Sequence, residues 1–204
     1  MGGMEMPGGV PMADRAEDRD GLMLDVLHVP LGPVLPLWPA GLIVHTRLQG
    51  DVIQEATVEV VGSPGVSFWA TEDRGLARRL DSHSRLLALA GWTDAAVEAQ
   101  RLRDDALDGT LSDARLQKWT RRVCRSRTLR WLLAGVGTVS DGPLAGDALT
   151  RLHSPPAKGP HETQWILDNL PAMLAGTELA TARLVVASLD PDLDLLAHHG
   201  AHHG

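Results

Sequence analysis

A proline-stiffened loop running straight into a two-stranded hairpin is the strongest constraint in this chain. Between Pro30 and Pro39 the sequence PLGPVLPLWP sets four prolines among large apolar residues. Proline fixes φ and lacks the ladder donor, so this stretch reads as a rigid extended loop rather than a central strand. From Leu42 the pattern turns to alternation, with Leu42, Val44, Thr46 and Leu48 on one face and Ile43, His45 and Arg47 on the other. After Gln49-Gly50-Asp51 a second run sets Val52, Gln54, Ala56, Val58 and Val60 opposite Ile53, Glu55, Thr57 and Glu59. Two β-rich runs joined through a Gly-Asp turn predict a hairpin. Leu22, Leu24, Val26 and Leu27 begin a strand or extended lead-in that ends at Pro30, and Val66–Ala70 reads as a short further strand. His45 falls on the solvated face, with no partner for ligation nearby in sequence.

A hairpin cannot bury its apolar face alone, and the sequence after Thr71 supplies helices to cover it. Leu76, Leu80, His83, Leu87 and Ala90 recur at helical spacing before Gly91. Thr93 or Asp94 opens a second helix through Leu107, and Ser112 or Asp113 opens a third that runs unbroken to about Ala134. A short helix is expected over Asp147–His153. Another covers His161–Leu174, with Trp165, Ile166 and Leu170 inward and Pro171 kinking it or ending its regular part. Glu178–Leu189 suits either a strand or a helix, and its alanine spacing favours the helix. The expected fold class is α+β, a small antiparallel N-terminal sheet packed by a predominantly helical body. Residues 1–20 read as an extended or disordered arm, 21–196 as one α+β domain and 197–204 as a flexible His-rich tail.

Composition narrows the chemistry. The net charge of −7 argues against nucleic-acid binding, which usually shows a basic surplus. Of 19 cations only Lys118 and Lys158 are lysine, and tyrosine is absent. One cysteine, Cys124, excludes an intramolecular disulfide, a multi-cysteine zinc site and a self-ligated iron–sulfur cluster. The N-terminus shows no signal-peptide pattern and no apolar run is long enough to span a bilayer, so the expected location is cytoplasmic, with any membrane contact peripheral and made through partner subunits.

The third helix concentrates positive charge: Arg115, Lys118, Arg121, Arg122, Arg125, Arg127 and Arg130 line it, beside an apolar stripe through Leu116, Trp119, Val123, Ser126, Leu129, Leu132 and Leu133. One reading is a solvated face balanced by Asp104, Asp105 and Asp108. The other is docking on an acidic partner or near anionic head groups, led by Arg121, Arg122 and Arg125. Cys124 lies among these arginines with no His or Asp placed beside it by the sequence, and reads as an inert helix cysteine. His83 reads as a core-edge histidine. Gly135–Gly146 is glycine-rich but follows a helix rather than a strand, so it reads as a cap and loop instead of a nucleotide cradle. The tail histidines His198, His199, His202 and His203 are dense enough to bind zinc, nickel or copper, although an incidental tail is the simpler reading. No nucleophile–base order, zinc-protease motif or P-loop is present.

Gly32-Pro33-Val34-Leu35-Pro36, then Ala40-Gly41 and the hairpin LIVHTRLQGDVIQEATVEVVG, resemble the start of one family: the large subunit of nickel–iron hydrogenases and its relative, the quinone-site subunit of respiratory complex I. There a segment of the form GPQHPxxHG leads into a hairpin of similar pattern. The closing stretch ARLVVASLDPDLD resembles the end of the complex I subunit. Residue by residue, the resemblance carries over scaffold positions: Gly32, Pro33, Pro36, Gly41 and the turn at Gly50. The family's loop histidines fall near Leu35 and within 37–40, where none is His; a quinone-facing Tyr and the metal-holding CxxC pairs have no counterpart. The resemblance implies a non-catalytic accessory subunit of a complex I-like or hydrogenase-related oxidoreductase complex. It would bind no cofactor of its own and support an electron-transfer interface with an iron–sulfur small subunit or other subunits. The alternatives from other classes are a metal-handling or maturation factor using the histidine tail, and a stand-alone regulatory interaction domain.

Overall fold

A computed structural model describes residues 13–17, 21–62, 66–154 and 159–198. Among the described residues the fold is α+β, with a four-stranded antiparallel sheet at the N-terminal end and seven α-helices after it. The strands are β1 (Arg15–Glu17), β2 (Met23–Leu31), β3 (Leu42–Gln49) and β4 (Val52–Val60), paired in chain order. The region expected as an arm thus contributes Arg15–Glu17 to the sheet, where Arg15 meets Asp25 at 2.9 Å. Pro30 sits in β2 opposite His45, beyond the reach of β1, so its missing donor faces an open edge.

The β3–β4 hairpin turns at Gly50-Asp51, and Gly50 has φ +62°. A positive φ at the first central residue suits glycine, which has no Cβ to clash. The alternation in β3 holds: Leu42, Val44, Thr46 and Leu48 are all buried. In β4 it needs a correction. Leu48 pairs with Ile53 but Arg47 pairs with Glu55, leaving Gln54 as the extra residue of a β-bulge. The bulge shifts the phase by one residue, so Ile53, expected on the polar face, is fully buried. The strand expected over Val66–Ala70 is instead a turn, because the Ser67 hydroxyl accepts the Trp69 N–H and Ala70 N–H bonds back to the Ser67 carbonyl.

The helices are α1 (Gly75–Leu89), α2 (Thr93–Leu107), α3 (Asp113–Cys124), α4 (Arg127–Leu133), α5 (Ala148–His153), α6 (Pro160–Leu174) and α7 (Leu179–Leu189). Two differ from expectation. The long third helix is broken in two at Arg125-Ser126, because the Ser126 side chain caps α4 by accepting from Leu129 N–H at 3.2 Å. A serine competing for backbone donors favours a cap over a helix interior. Pro171 does not end α6, which runs on to Leu174. Leu179–Leu189 is helical, as the alanine spacing favoured, and Glu178 is its extended N-cap, bridged to Val52.

Two apolar clusters form the interior. In one, Leu42, Val44, Leu48 and Ile53 of the sheet pack on Ile166, Leu170 and Leu174 of α6 and on Val185, Val186 and Leu189 of α7. The other gathers Leu80, Leu87, Leu102, Trp119, Val123, Leu133 and Leu152 from α1 to α5. Helix α7 belongs to both, since Ala187 turns into the second cluster. The loop between α6 and α7 is stitched to the start of β4 by Ile53 N–H to Thr177 O (2.9 Å), Gly176 N–H to Ile53 O (2.7 Å) and Leu179 N–H to Asp51 O (2.9 Å).

The glycine-rich passage 135–146 is held by a residue the sequence did not single out. Arg151 on α5 is buried, and its guanidinium donates to the carbonyls of Gly137 and Gly146 at 2.8 Å, to those of Val136 and Leu144 at 3.4 Å, and to Ser188 Oγ at 3.0 Å. Burial lowers its pKa to about 10, partly offset by Asp147, and it stays charged at neutral pH. A Cβ on Gly137 would come within 2.9 Å of Val185 and 3.1 Å of this guanidinium. Arg151→Met therefore strands several buried carbonyls at once and should lower unfolding free energy by roughly 3 kcal/mol or more. Urea unfolding measures this, and a loss under ~1 kcal/mol would show that the loop finds other donors.

Candidate functional site

The proline loop closes on itself. Trp38 is buried and its indole Nε1 donates to the Leu42 carbonyl at 3.0 Å. Gly32 adopts φ +95°, and a Cβ there would lie 2.1 Å from that same carbonyl and 2.8 Å from the Trp38 nitrogen. Gly41, φ +83°, lets the Val61 carbonyl come within 2.5 Å of where its Cβ would be. Pro33 is half-buried and Pro36 exposed, and the Pro36 carbonyl accepts from Arg183 of α7 at 2.8 Å. The five scaffold positions thus have physical reasons: Gly32 and Gly41 for close approach, Pro33 and Pro36 for the loop, Gly50 for the distant turn.

Beside this loop lies a cleft of about 140 Å³, where Pro39 and Ala40 face Trp69, Arg78, Arg85 and the segment 190–194. Arg78, Arg85, Asp190 and Asp192 are all held in ion pairs. Arg85 Nη2 lies 2.8 Å from Asp190 and 3.0 Å from Asp81, Arg103 reaches Asp81 at 2.6 Å, and Arg78 stands 3.5 Å from Asp192. Ser67 Oγ donates to Asp192 at 2.6 Å. Asp190 caps α7 in a left-handed conformation, φ +48°. Burial pushes its carboxyl up from the ordinary carboxylate range, while Arg85 and Arg78 pull against that. A carboxylate tied to an arginine is a weak base toward Ser67, so the set offers no activated nucleophile. In the sequence, Asp190-Pro191-Asp192 stands only within the closing stretch ARLVVASLDPDLD, with no partner assigned to either carboxylate. The signal it lacked was that Arg78 and Arg85, seven apart on α1, face the same side.

A second site opens between α1, α3 and α5. It is a pocket of about 150 Å³ with an apolar lining that includes Leu80, Leu116, Trp119, Val123 and Leu152. Cys124 and His153 stand at it, with Sγ and Nδ1 3.7 Å apart. The fold thus places beside Cys124 the histidine that the sequence reading lacked, 29 residues on. His83 lines the same pocket and stacks on Trp119, with ring centroids 5.8 Å apart. Burial, with smaller contributions from Arg79 and His153, lowers its pKa to about 4. His45, by contrast, is exposed on the outer sheet face with Nε2 2.7 Å from Glu59.

The predicted docking arginines are on the surface. Arg121 and Arg125 are exposed, and Arg122 stacks over the Trp92 ring at 5.0 Å. The balancing of charge expected from α2 is confined to the start of α3, where Arg115 pairs with Glu98 (2.9 Å) and Asp105. Arg121, Arg122, Arg125, Arg127 and Arg130 form no ion pair with any described residue, and Trp131 beside them is 80 % exposed. Of the tail histidines, His198 ends a 3-10 turn over Leu193–His198, and His199, His202 and His203 lie outside the described residues. Among the described residues, no three His, Cys, Asp or Glu side chains gather as metal ligands, and no helix is long and apolar enough to cross a membrane.

No family model, curated protein or solved structure matches this chain.

Two outcomes follow from these side chains. Removing the Asp190 charge leaves Arg85 short of a partner inside the protein, so Asp190→Asn should cost about 3 kcal/mol by chemical denaturation; a neutral result would mean that Asp81 alone satisfies it. For His83 the folded pKa lies below the unfolded value of 6.5. The unfolded chain then binds the proton first, and stability falls as pH drops from about 6.5 toward 4, by roughly 3 kcal/mol in all. His83→Gln should flatten that part of the stability–pH curve, measured as melting temperature between pH 7 and pH 4.5.

Proposed function

We propose that this chain is a non-catalytic accessory subunit that docks on an oxidoreductase complex of the complex I or hydrogenase-related kind. The observation that carries the docking half of this reading is the basic face of α3 and α4. Five arginines without described ion partners lie on the last part of α3, at its junction with α4 and on α4, which also carries an exposed tryptophan, in a protein whose net charge is −7. Arginine and tryptophan are the residues that most often dominate interface energetics. An unpaired local field of this sign attracts an acidic surface and speeds encounter with it. Helix α4 also breaks away from α3 at Ser126, so the face is a two-segment surface rather than a single ridge.

The resemblance of the loop and hairpin to the large-subunit family supplies the choice of complex. In keeping with an accessory role, the loop carries no histidine and is bonded inward through Trp38 and Arg183, and Arg78, Arg85, Asp190 and Asp192 of the adjoining cleft are held in ion pairs. The partner is an iron–sulfur small subunit or a neighbour of it, which would hold the cluster. Peripheral attachment to the cytoplasmic side of the membrane would then come through that complex.

Affinity purification of the full chain from its native membrane fraction tests this. Iron–sulfur subunits should co-purify at low salt and be lost progressively as salt rises. The Arg121→Glu, Arg122→Glu, Arg125→Glu triple variant should weaken capture at least tenfold without changing the far-ultraviolet spectrum. Capture of the same subunits unaffected by the reversal would move the interface elsewhere, and capture of none would end the oxidoreductase reading.

A further inference from the structure

We propose that the α3–α4 face takes an acidic peptide segment of its partner, with one apolar side chain of that segment packed on Trp131. The choice of face rests on the docking reading above, whereas the choice of complex made there is not needed. Between Asp113 and Asp141 the chain has no aspartate or glutamate, while Arg115, Lys118, Arg121, Arg122, Arg125, Arg127 and Arg130 all fall within that stretch. Of these only Arg115 forms an ion pair with a described residue, through Glu98 and Asp105 of α2. A surface of one sign, with no carboxylate of its own, selects a partner of the opposite sign and disfavours one of mixed charge.

Helix geometry sets these cations outward. On α3, Trp119 and Val123 are buried, and Lys118, Arg121 and the C-cap Arg125, three and four residues apart, fall on the opposite side. On α4, Leu129 and Leu133 are buried, and Arg127, Arg130 and Trp131 take the other side. Both buried pairs belong to one apolar cluster, so both basic sides point away from the same interior. From Lys118 to Arg130 the track is at most about 18 Å long at 1.5 Å per residue, a span that about six extended residues cover.

The side chains fit carboxylates in particular. All the unpaired cations but Lys118 are arginine, whose planar fork holds a carboxylate at two points where an ammonium cannot. Trp131 is 80 % exposed, next to Arg130 and one turn from Arg127. Its ring offers contact area that an apolar side chain can use and a carboxylate cannot. A flat anionic bilayer is the poorer occupant. Outside this stretch the chain is more acidic than its net −7, and a broad surface meets that charge as well. A short segment stays within the roughly 10 Å over which charges still act at moderate salt.

The experiment titrates the full chain, by calorimetry, with two synthetic peptides long enough to span the track. One is built of Glu and Asp around a single Leu, and the other has Ser in place of that Leu. The leucine peptide should bind more weakly as salt rises, and at least tenfold more tightly than the serine peptide at any one salt concentration. In Trp131→Ser, an exposed position whose replacement leaves the core untouched, the two peptides should bind alike. Equal affinity of both peptides for the unaltered chain would overturn the role of Trp131. Binding of neither peptide would overturn the acidic segment, and capture of the chain by phosphatidylserine vesicles in that case would give the face to lipid. If affinity purification yields no iron–sulfur subunit while the leucine–tryptophan coupling holds, the oxidoreductase reading fails and the acidic segment stands. If iron–sulfur subunits are captured equally by Trp131→Ser and the peptides show no coupling, the reverse follows.

Discussion

The carboxylate of Asp190 is where three parts of this chain meet. The backbone N–H of Asp190 closes α7, the helix shared by both apolar clusters, on the Val186 carbonyl, and its carboxylate faces Arg85 of α1 at 2.8 Å. Arg85 also holds Asp81, which holds Arg103 of α2. Two residues on, Asp192 takes Ser67 from the turn that follows the sheet, and Arg78 from α1. The sheet layer and the helical layer are therefore joined by charge as well as by the apolar sides of α7. Ions this deep in a protein add little net stability compared with well-packed apolar groups, but losing one partner is costly. Their arrangement fixes one relative position of α1, α7 and the turn at Ser67.

That constraint shapes what the surface is free to do. The carboxylates near α1 are consumed in holding the interior, and the first arginine of α3 is consumed by α2. Arg121 and Arg122 late in α3, Arg125 at its end, and Arg127 and Arg130 on α4 have no ion pair with any described residue, and α4 also exposes Trp131. The proline loop, which by itself reads as an entrance, is bonded inward at Trp38, Gly41 and Pro36. Beside the stacked rings of His83 and Trp119 lies the pocket that Cys124 and His153 also line.

Much of the architecture was legible in the sequence, since it depends on local chemistry. Alternation in 42–49, the Gly-Asp turn and the three- and four-residue spacing of Leu76, Leu80 and Leu87 each state one element directly. The misreadings have local causes too. A single bulged residue, Gln54, inverted the faces of β4 around Ile53. Ser126 looked like a small member of an apolar stripe but acts as a cap. The candidate sites were less legible because they depend on residues brought together from afar: Cys124 with His153, Ser67 with Asp192, Arg85 with Asp190. Periodicity predicts which side a residue faces and says nothing about what arrives opposite it. Arg151 shows the same limit, as an isolated arginine on a short helix whose role appears only once Gly137 and Gly146 fold around it.

Native-state amide exchange under rising denaturant tests most directly whether the Asp190 network makes the proline loop and the helical layer one cooperative body. The amides to follow are those of Trp38, Leu42 and Val61, which bond to Leu35, Pro39 and Gly41, and those in the middle of α1. If the network joins the layers as described, both sets exchange with the same opening free energy, the global one. Loop amides that open at a distinctly lower free energy, while α1 stays protected, would contradict it and make the loop a separately moving gate.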